Sequence, residues 1–416
     1  MKMEQVILNN IEIKKVRHLK NIDINIAEGK CKHVILTGKN GSGKTSLLDS
    51  MAAFIGSVTT GINPQEIISN IEYDKDAIQY YTERREYLQL KQRKKELDEQ
   101  KKLLEKATAG VWLKFNKSFA VIRELFEKGQ FVVAYYKAER VFSAIEPKHV
   151  EKIELKTGYS INENPRNEFV KYLLDLKVTQ ALSIANGNND KAQKISEWFL
   201  KFEQLLKKIF DNESVRLEFD EEKFKFSIIM DGREPFDFNT LSSGYAAILD
   251  IVVDLIIRME KQTKRTFDFN ISGIVLIDEI ETHLHLELQK NIMELLTTVF
   301  PNIQFVVSSH SPFILNSLND VVIYDLENNV LVEHGLSDVP YSGIVEGYFN
   351  ADQLSDELRA KFEEYKKLAQ KPQFAEDDYE RIADLEMYLN EIPDYLAINI
   401  TTQYQELKAK IRAKEA

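Results

Sequence analysis

The feature that most constrains this chain is the run Gly38-Lys39-Asn40-Gly41-Ser42-Gly43-Lys44-Thr45, which follows the apolar stretch His33–Thr37 and precedes the helix-periodic segment Ser46–Met51. It satisfies the pattern GxxxxGK[ST] in the order strand, glycine loop, helix, which is the context its chemistry requires. Glycines let consecutive backbone N–H groups converge on phosphate oxygens, and the start of the following helix adds the positive end of its dipole. The expected cradle comprises Gly38, Asn40, Gly41, Ser42, Gly43, Lys44, Thr45 and Ser46, with Lys44 reaching the β- and γ-phosphates and the Thr45 hydroxyl ligating Mg²⁺.

A second constraint is Ile274-Val275-Leu276-Ile277-Asp278-Glu279, a buried apolar strand ending in two carboxylates. Parallel sheets present ligand-handling groups at the carboxyl ends of their strands, so this pair is expected beside the glycine loop. There Asp278 would hold the Mg²⁺ shell and Glu279 would act as general base on the attacking water. The predicted strand Gln304–Val307 and the amphipathic helix from about Leu286 to Thr298 complete a strand–helix–strand unit of the parallel α/β type.

With these motifs in hand, Leu241-Ser242-Ser243-Gly244-Tyr245 resembles the ABC signature. The chain is similar to the SMC, RecF and Rad50 branch of ABC-type ATPases, including stand-alone ATPases of bacterial anti-phage systems. The resemblance covers about residues 1–60 and 215–325. It implies that Ser242, Ser243 and Gly244 contact the nucleotide held by the opposite subunit, so that two copies close around ATP in a homodimer or higher homo-oligomer. It further implies that His310, in Val306-Val307-Ser308-Ser309-His310-Ser311-Pro312, is the switch histidine touching the γ-phosphate. Glu281-Thr282-His283-Leu284-His285 then occupies the D-loop position. Departures exist: Ser243 and Tyr245 replace the commoner glycine and glutamine. No Q-loop glutamine is assigned. Gln130 precedes the apolar run Phe131–Tyr136, and Tyr136-Lys137-Ala138-Glu139-Arg140 follows it, with Arg140 either sensing nucleotide or forming a salt bridge at the core edge.

The expected architecture is an α/β P-loop NTPase head of ABC type, with an N-terminal antiparallel sheet from alternating runs such as Ile11–Ile13 and Ile22–Ile26, and a parallel core sheet. Residues 1–70 and 211–350 form the two core halves, and 71–210 an inserted helical lobe with a core-returning strand at 131–136. Residues 351–416 form a helical tail. Between Ile71 and Ala109 the chain is charged and lacks Pro and Gly, with Leu90, Leu97 and Leu104 seven apart. Read as one helix, at 1.5 Å per residue, this arm extends roughly 50–60 Å. Residues 151–210 read as mostly helical with a break at Asn186–Asn189, and Val215–Phe219 with Phe224–Ile229 as a hairpin.

Composition narrows function. With 44% hydrophobic and 29% charged residues, the chain is an ordinary globular mixture rather than a disordered or membrane one. No apolar run approaches the roughly 18 residues that span a bilayer, and the charged N-terminus lacks a signal segment, so a cytoplasmic location is expected. Cys31 is the single cysteine, without a disulfide or zinc partner. A net charge of −11 argues against broad DNA binding, and the basic stretch from Arg84 to Lys106 is interleaved with glutamates, as a solvated helix face is. The favoured reading is an ATP-hydrolysing sensor or regulatory subunit, in phage defence or genome maintenance, acting with a separate effector such as a nuclease or toxin. The alternatives are a RecF-type repair ATPase that binds DNA directly, a transport ATPase, and a non-catalytic scaffold dimerised by ATP.

Overall fold

The computed structural model describes residues 5–26, 29–140, 142–147, 149–344, 356–390 and 398–415. The chain divides into two compact units, Met1–Val339 and Pro340–Ala416.

In the first unit, alternating apolar residues build β1 (Leu8–Val16) and β2 (Leu19–Asn25), paired antiparallel with Ile11 opposite Ile24 and Ile13 opposite Ile22. Strand β3 (His33–Thr37) runs into the glycine loop and α1 (Lys44–Thr59). Helices α2 (Pro64–Glu83) and α3 (Tyr87–Thr108) follow. Then come β4 (Val111–Phe115), α4 (Phe119–Glu127) and β5 (Phe131–Tyr136). Helices α5 (Phe169–Ala185) and α6 (Asn189–Phe210) lead to the hairpin β6 (Arg216–Asp220) and β7 (Lys225–Ile229). The chain closes through α7 (Ser243–Thr263), β8 (Ser272–Ile277), α8 (Leu286–Val299) and β9 (Ile303–Ser308). A single turn α9 (Pro312–Leu315) precedes β10 (Val321–Asp325) and β11 (Val330–Val332).

The core sheet has the order β11-β10-β3-β9-β8-β5. Every pairing is parallel except β10 with β11. All residues of β5, β9 and β10 are buried, as continuous apolar runs are in a parallel sheet covered on both faces. The register sets Tyr136 beside Ile277, Ile277 beside Val307 and Leu36 beside Ser308, so the carboxyl ends of β5, β8, β9 and β3 share one edge. That edge is where such sheets gather their ligand-handling residues.

Three expectations need correction. The arm is a helical hairpin, not one long helix: α2 ends at Glu83, Arg85 takes a left-handed φ of 59°, and α3 starts at Tyr87. Ile67, Ile71 and Ala107 are buried together with Leu97 and Leu104 packed on them, and Arg93 pairs with the buried Asp74 at 3.2 Å. Two antiparallel helices bury that stripe, which a lone helix would leave in water. Second, β4 lies inside the span expected to be a helical lobe, yet it pairs antiparallel with β1 as the third strand of the sheet β2-β1-β4. Third, residues 151–164 are irregular rather than helical, and regular helix resumes only with the short turn Pro165–Glu168 and α5. The break at Asn186–Asn189 stands as expected: Gly187 has φ 72° and the Asn188 side chain caps α6 by accepting from Lys191 N.

The second unit contains helices Asp356–Gln370, Glu376–Asn390 and Ile398–Glu415 around a core of Phe362, Tyr365, Leu385, Leu389 and Tyr404. The expected boundary at residue 351 lies outside the described residues. Among the described residues no helix is long and apolar enough to cross a membrane.

Candidate active site

The glycine loop joins β3 to α1, and its glycines answer to space. A Cβ on Gly38, at φ 127°, would lie 2.9 Å from Ser42 Oγ and 3.1 Å from the backbone N of Glu327. One on Gly43, at φ 101°, would meet Leu19 Cδ1 at 2.9 Å. Lys44 is buried and its Nζ donates to the carbonyl oxygens of Gly38 at 2.7 Å and Lys39 at 3.2 Å. Burial pulls its pKa down, while Glu279, Asp278, Glu281 and Asp325 act in the opposite direction. The loop is braced from outside by Glu327, which accepts from Lys39 N at 3.2 Å and pairs with Lys39 Nζ at 2.8 Å.

Asp278 and Glu279 stand at the end of β8. Ser308, at the end of β9, donates from Oγ to Asp278 Oδ1 at 2.6 Å and accepts on Oγ from Glu279 N at 2.7 Å. Glu279 itself takes a left-handed φ of 45°, an arrangement that L residues adopt only when the surroundings hold it. Thr282 Oγ1 donates to Glu279 Oε2 at 3.3 Å. His310 N donates to Glu281 Oε1 at 2.6 Å, while His310 Nε2 and Glu281 Oε2 are buried without a hydrogen-bond partner. Burial, then the nearby Lys44 ammonium, lowers the His310 pKa and keeps its ring neutral at pH 7. Lys44, Asp278, Glu279 and His310 thus form one electrostatic cluster.

The donor set fits a hard cation. Thr45 is exposed on the first turn of α1 with its hydroxyl making no side-chain hydrogen bond among the described residues, and Asp278 has Oδ2 left over. Two protein oxygens completed by phosphate oxygens and water are the ligands Mg²⁺ takes. Among the described residues no group of three or more His, Cys, Asp or Glu side chains could hold a metal unaided.

The signature stands apart from this cluster. Ser242 is the N-cap of α7 but its side chain makes no capping bond, and Ser242 and Ser243 are both exposed. Gly244 is buried, and a Cβ there would lie 2.9 Å from His283 O. Tyr245 packs edge-on against His285 with ring centroids 6.2 Å apart. The expected D-loop and signature are therefore in direct contact, but among the described residues no hydrogen bond joins Ser242–Gly244 to Lys44, Asp278, Glu279 or His310.

Gln130 lies at the amino end of β5, the strand's length from the shared carboxyl edge, which rules it out as a Q-loop residue. Arg140 departs from the expected salt bridge: among the described residues it forms no carboxylate ion pair, and its guanidinium donates to the carbonyl oxygens of Asp278 and Glu279, each at 2.7 Å. Ser308 was not singled out from the sequence. Its signal was available, since a polar residue closing a buried apolar strand obeys the same rule as Asp278. Within the basic stretch from Arg84 to Lys106, Lys102 pairs with Asp98 and Lys95 with Glu99.

This geometry defines a P-loop ATPase-type head, and sequence comparison agrees. The family described as "AAA domain, putative AbiEii toxin, Type IV TA system" matches residues 63–316, and the chain belongs to that family. It is 25% identical over 414 residues to Septu protein PtuA of Bacillus mycoides (strain KBAB4), covering 97% of this chain and 53% of that protein. It is 31% identical over 147 residues to "Retron Ec83 probable ATPase" of Escherichia coli, covering 34% of this chain and 27% of that protein. The chain thus spans about half the length of the PtuA relative. Among solved structures, an SMC head bound to the C-winged helix domain of ScpA aligns with 80% of this chain and 100% of its own at 12% identity and a TM-score of 0.39. A nucleotide-free ATP-binding cassette from an ABC transporter covers 81% of this chain and 94% of its own at 14% identity and a TM-score of 0.34.

Proposed function

We propose that this chain hydrolyses Mg-ATP, that its active sites are completed by a second copy of itself, and that it serves as the sensor or regulatory subunit of a phage-defence system with a separate effector. The observation that carries the hydrolytic reading is the hydrogen-bonded Asp278–Ser308–Glu279 chain beside Lys44 and His310. Lys44 exchanges its loop carbonyls for the β- and γ-phosphates. Thr45 and Asp278 hold Mg²⁺, which supplies charge neutralisation of the phosphates when bound. Glu279 takes a proton from the attacking water, and the neutral His310 offers its unpartnered Nε2 to the γ-phosphate region.

The second copy enters because Ser242 and Ser243 are exposed, uncapped and without a bond to their own chain's cluster. A helix N-terminus with free N–H groups is built to receive an anion, and the γ-phosphate held by a partner is the candidate that the ABC resemblance supplies. The defence setting rests on the resemblance to stand-alone anti-phage ATPases, with the match to Septu protein PtuA over 97% of the chain as support.

The test is steady-state turnover of Mg-ATP by wild type, Glu279→Gln and Lys44→Ala, with ATP binding measured beside it. Glu279→Gln should bind ATP and lose about 10²- to 10⁴-fold in turnover, the usual worth of a positioned base. Lys44→Ala should lose binding. Turnover by Glu279→Gln at the wild-type rate refutes the assignment of the base.

A further inference from the structure

The guanidinium of Arg140 is buried behind the acidic turn, with both terminal nitrogens donating to main chain and Nε buried without a partner. Nη1 donates to Asp278 O at 2.7 Å, and Nη2 to Glu279 O at 2.7 Å and Ile280 O at 3.2 Å. Nη1 also reaches Lys137 O, within its own segment, at 3.2 Å. Three successive carbonyls of the turn that carries Glu279 therefore converge on one planar fork, a geometry that a lysine ammonium cannot reproduce. The middle carbonyl belongs to Glu279, whose left-handed φ of 45° needs such support.

The same segment is stitched to the approach of the signature. Ala144 N donates to Asn239 Oδ1 at 2.9 Å, and Asn239 Nδ2 donates back to Ala144 O at 3.2 Å. The buried rings of Phe142 and Phe238 stand 6.4 Å apart. Asn239 lies three residues before Ser242. The loop entering the signature is thus bonded to Ala144, four positions along the chain from Arg140, which holds the backbone of Asp278–Ile280.

We infer that Arg140 is a positioning residue for ATP hydrolysis, and that its link to Asn239 couples the signature loop to the acidic turn. The inference rests on the hydrolytic reading above. A partner's nucleotide engaging Ser242 shifts the 239–242 loop, and Ala144 and Arg140 carry that shift to the carbonyl on which Glu279 turns. Arg140 acts through the backbone of the turn; it sets where Glu279 points.

The experiment uses the full chain with Arg140→Ala, Arg140→Lys and Asn239→Ala, and reads two quantities. The first is hydrogen–deuterium exchange of the peptide spanning Ile277–His283 without nucleotide, which needs no turnover. Exchange there should rise in both Arg140 variants. The second is kcat and KM for Mg-ATP. Arg140→Ala should lower kcat about 100-fold, the scale of a misplacement near 1 Å, with KM held, because ATP binding is untouched. Arg140→Lys should fall between it and wild type, and Asn239→Ala should lose about tenfold in kcat, again with KM held. Millimolar guanidinium should restore part of the turnover of Arg140→Ala, since Arg140 lines a cavity of about 460 Å³ through which it can enter. If Arg140→Ala fails to fold, the lysine variant carries the same comparison. Unchanged exchange at the acidic turn overturns the inference, as does a raised KM with unchanged kcat, which would mark a direct nucleotide contact. An Asn239→Ala enzyme with wild-type kcat overturns the coupling. If wild type does not hydrolyse ATP although exchange rises in the Arg140 variants, the hydrolytic reading fails and the support of the turn by Arg140 stands.

Discussion

Ser308→Ala isolates the hydroxyl that binds the two acidic residues together. Ser308 is fully buried, and its Oγ both donates to Asp278 Oδ1 at 2.6 Å and accepts from Glu279 N at 2.7 Å. The change removes one hydrogen bond to a charged group, worth about 1.5–3 kcal/mol, and leaves a partly buried N–H unsatisfied, at a cost of about 1–3 kcal/mol. Because the turn can relax toward Thr282, the lower halves of these ranges apply, and the expected loss is about 3 kcal/mol. Both tryptophans, Trp112 and Trp198, lie in the unit Met1–Val339, so urea unfolding followed by tryptophan fluorescence reports that unit. With a slope near 3 kcal/mol per molar urea, the midpoint should fall by about 1 M. Ser309→Ala, which removes only the acceptor for Ser311 N, should move it by about a third of that. A Ser308→Ala midpoint within about 0.2 M of wild type, corresponding to less than about 0.6 kcal/mol, would refute the account of the acidic turn.

Glu260 should make stability pH-dependent. Burial pushes its pKa from an ordinary 4.5 up to about 7, and Tyr172 Oη donates to it at 2.7 Å. Because the folded value lies above the unfolded one, the contribution is fully present below about pH 4.5 and is lost as pH rises through about 7. It amounts to about 3 kcal/mol at 1.36 kcal/mol per pH unit. Glu260→Gln should flatten the wild-type fall between those limits in pH-resolved urea titrations, and parallel curves would contradict the assignment. Gly244→Ala places a Cβ 2.9 Å from the His283 carbonyl and must push the first turn of α7 away from the expected D-loop. It should cost about 1–3 kcal/mol in unfolding measurements and at least about tenfold in turnover. Wild-type values of both would remove the contact from the mechanism.

Much of the site was legible because its residues sit where strands end. The glycine loop follows β3, Asp278 and Glu279 close β8 and His310 follows β9, each at the carboxyl end of an apolar run readable by eye. The parallel order followed from strand–helix–strand spacing. The hairpin of α2 and α3 was hidden because its turn, Arg84-Arg85-Glu86, contains no Gly or Pro and has the same charged character as the helices it joins. What folds it is tertiary: the Ile67, Ile71 and Ala107 stripe and the Arg93–Asp74 pair. Strand β4 was hidden by brevity, five residues between long helical stretches. In 151–164, Lys152-Ile153-Glu154-Leu155-Lys156 alternates polar and apolar residues, a period-two pattern at odds with the helix expected there, and these residues alternate exposed and half-buried in the structure. Arg140 lay beyond local reading altogether, because its partners are backbone carbonyls 138 to 140 residues further along the chain.

The central claim is that a nucleotide joins two copies of this chain, and the most direct test is the mass in solution of Glu279→Gln with and without Mg-ATP. The account predicts a mass that doubles, or increases by a further even step, on adding Mg-ATP and that Ser242→Arg, which fills the exposed start of α7, abolishes the increase. A mass indifferent to Mg-ATP in a variant that demonstrably binds it would contradict the account.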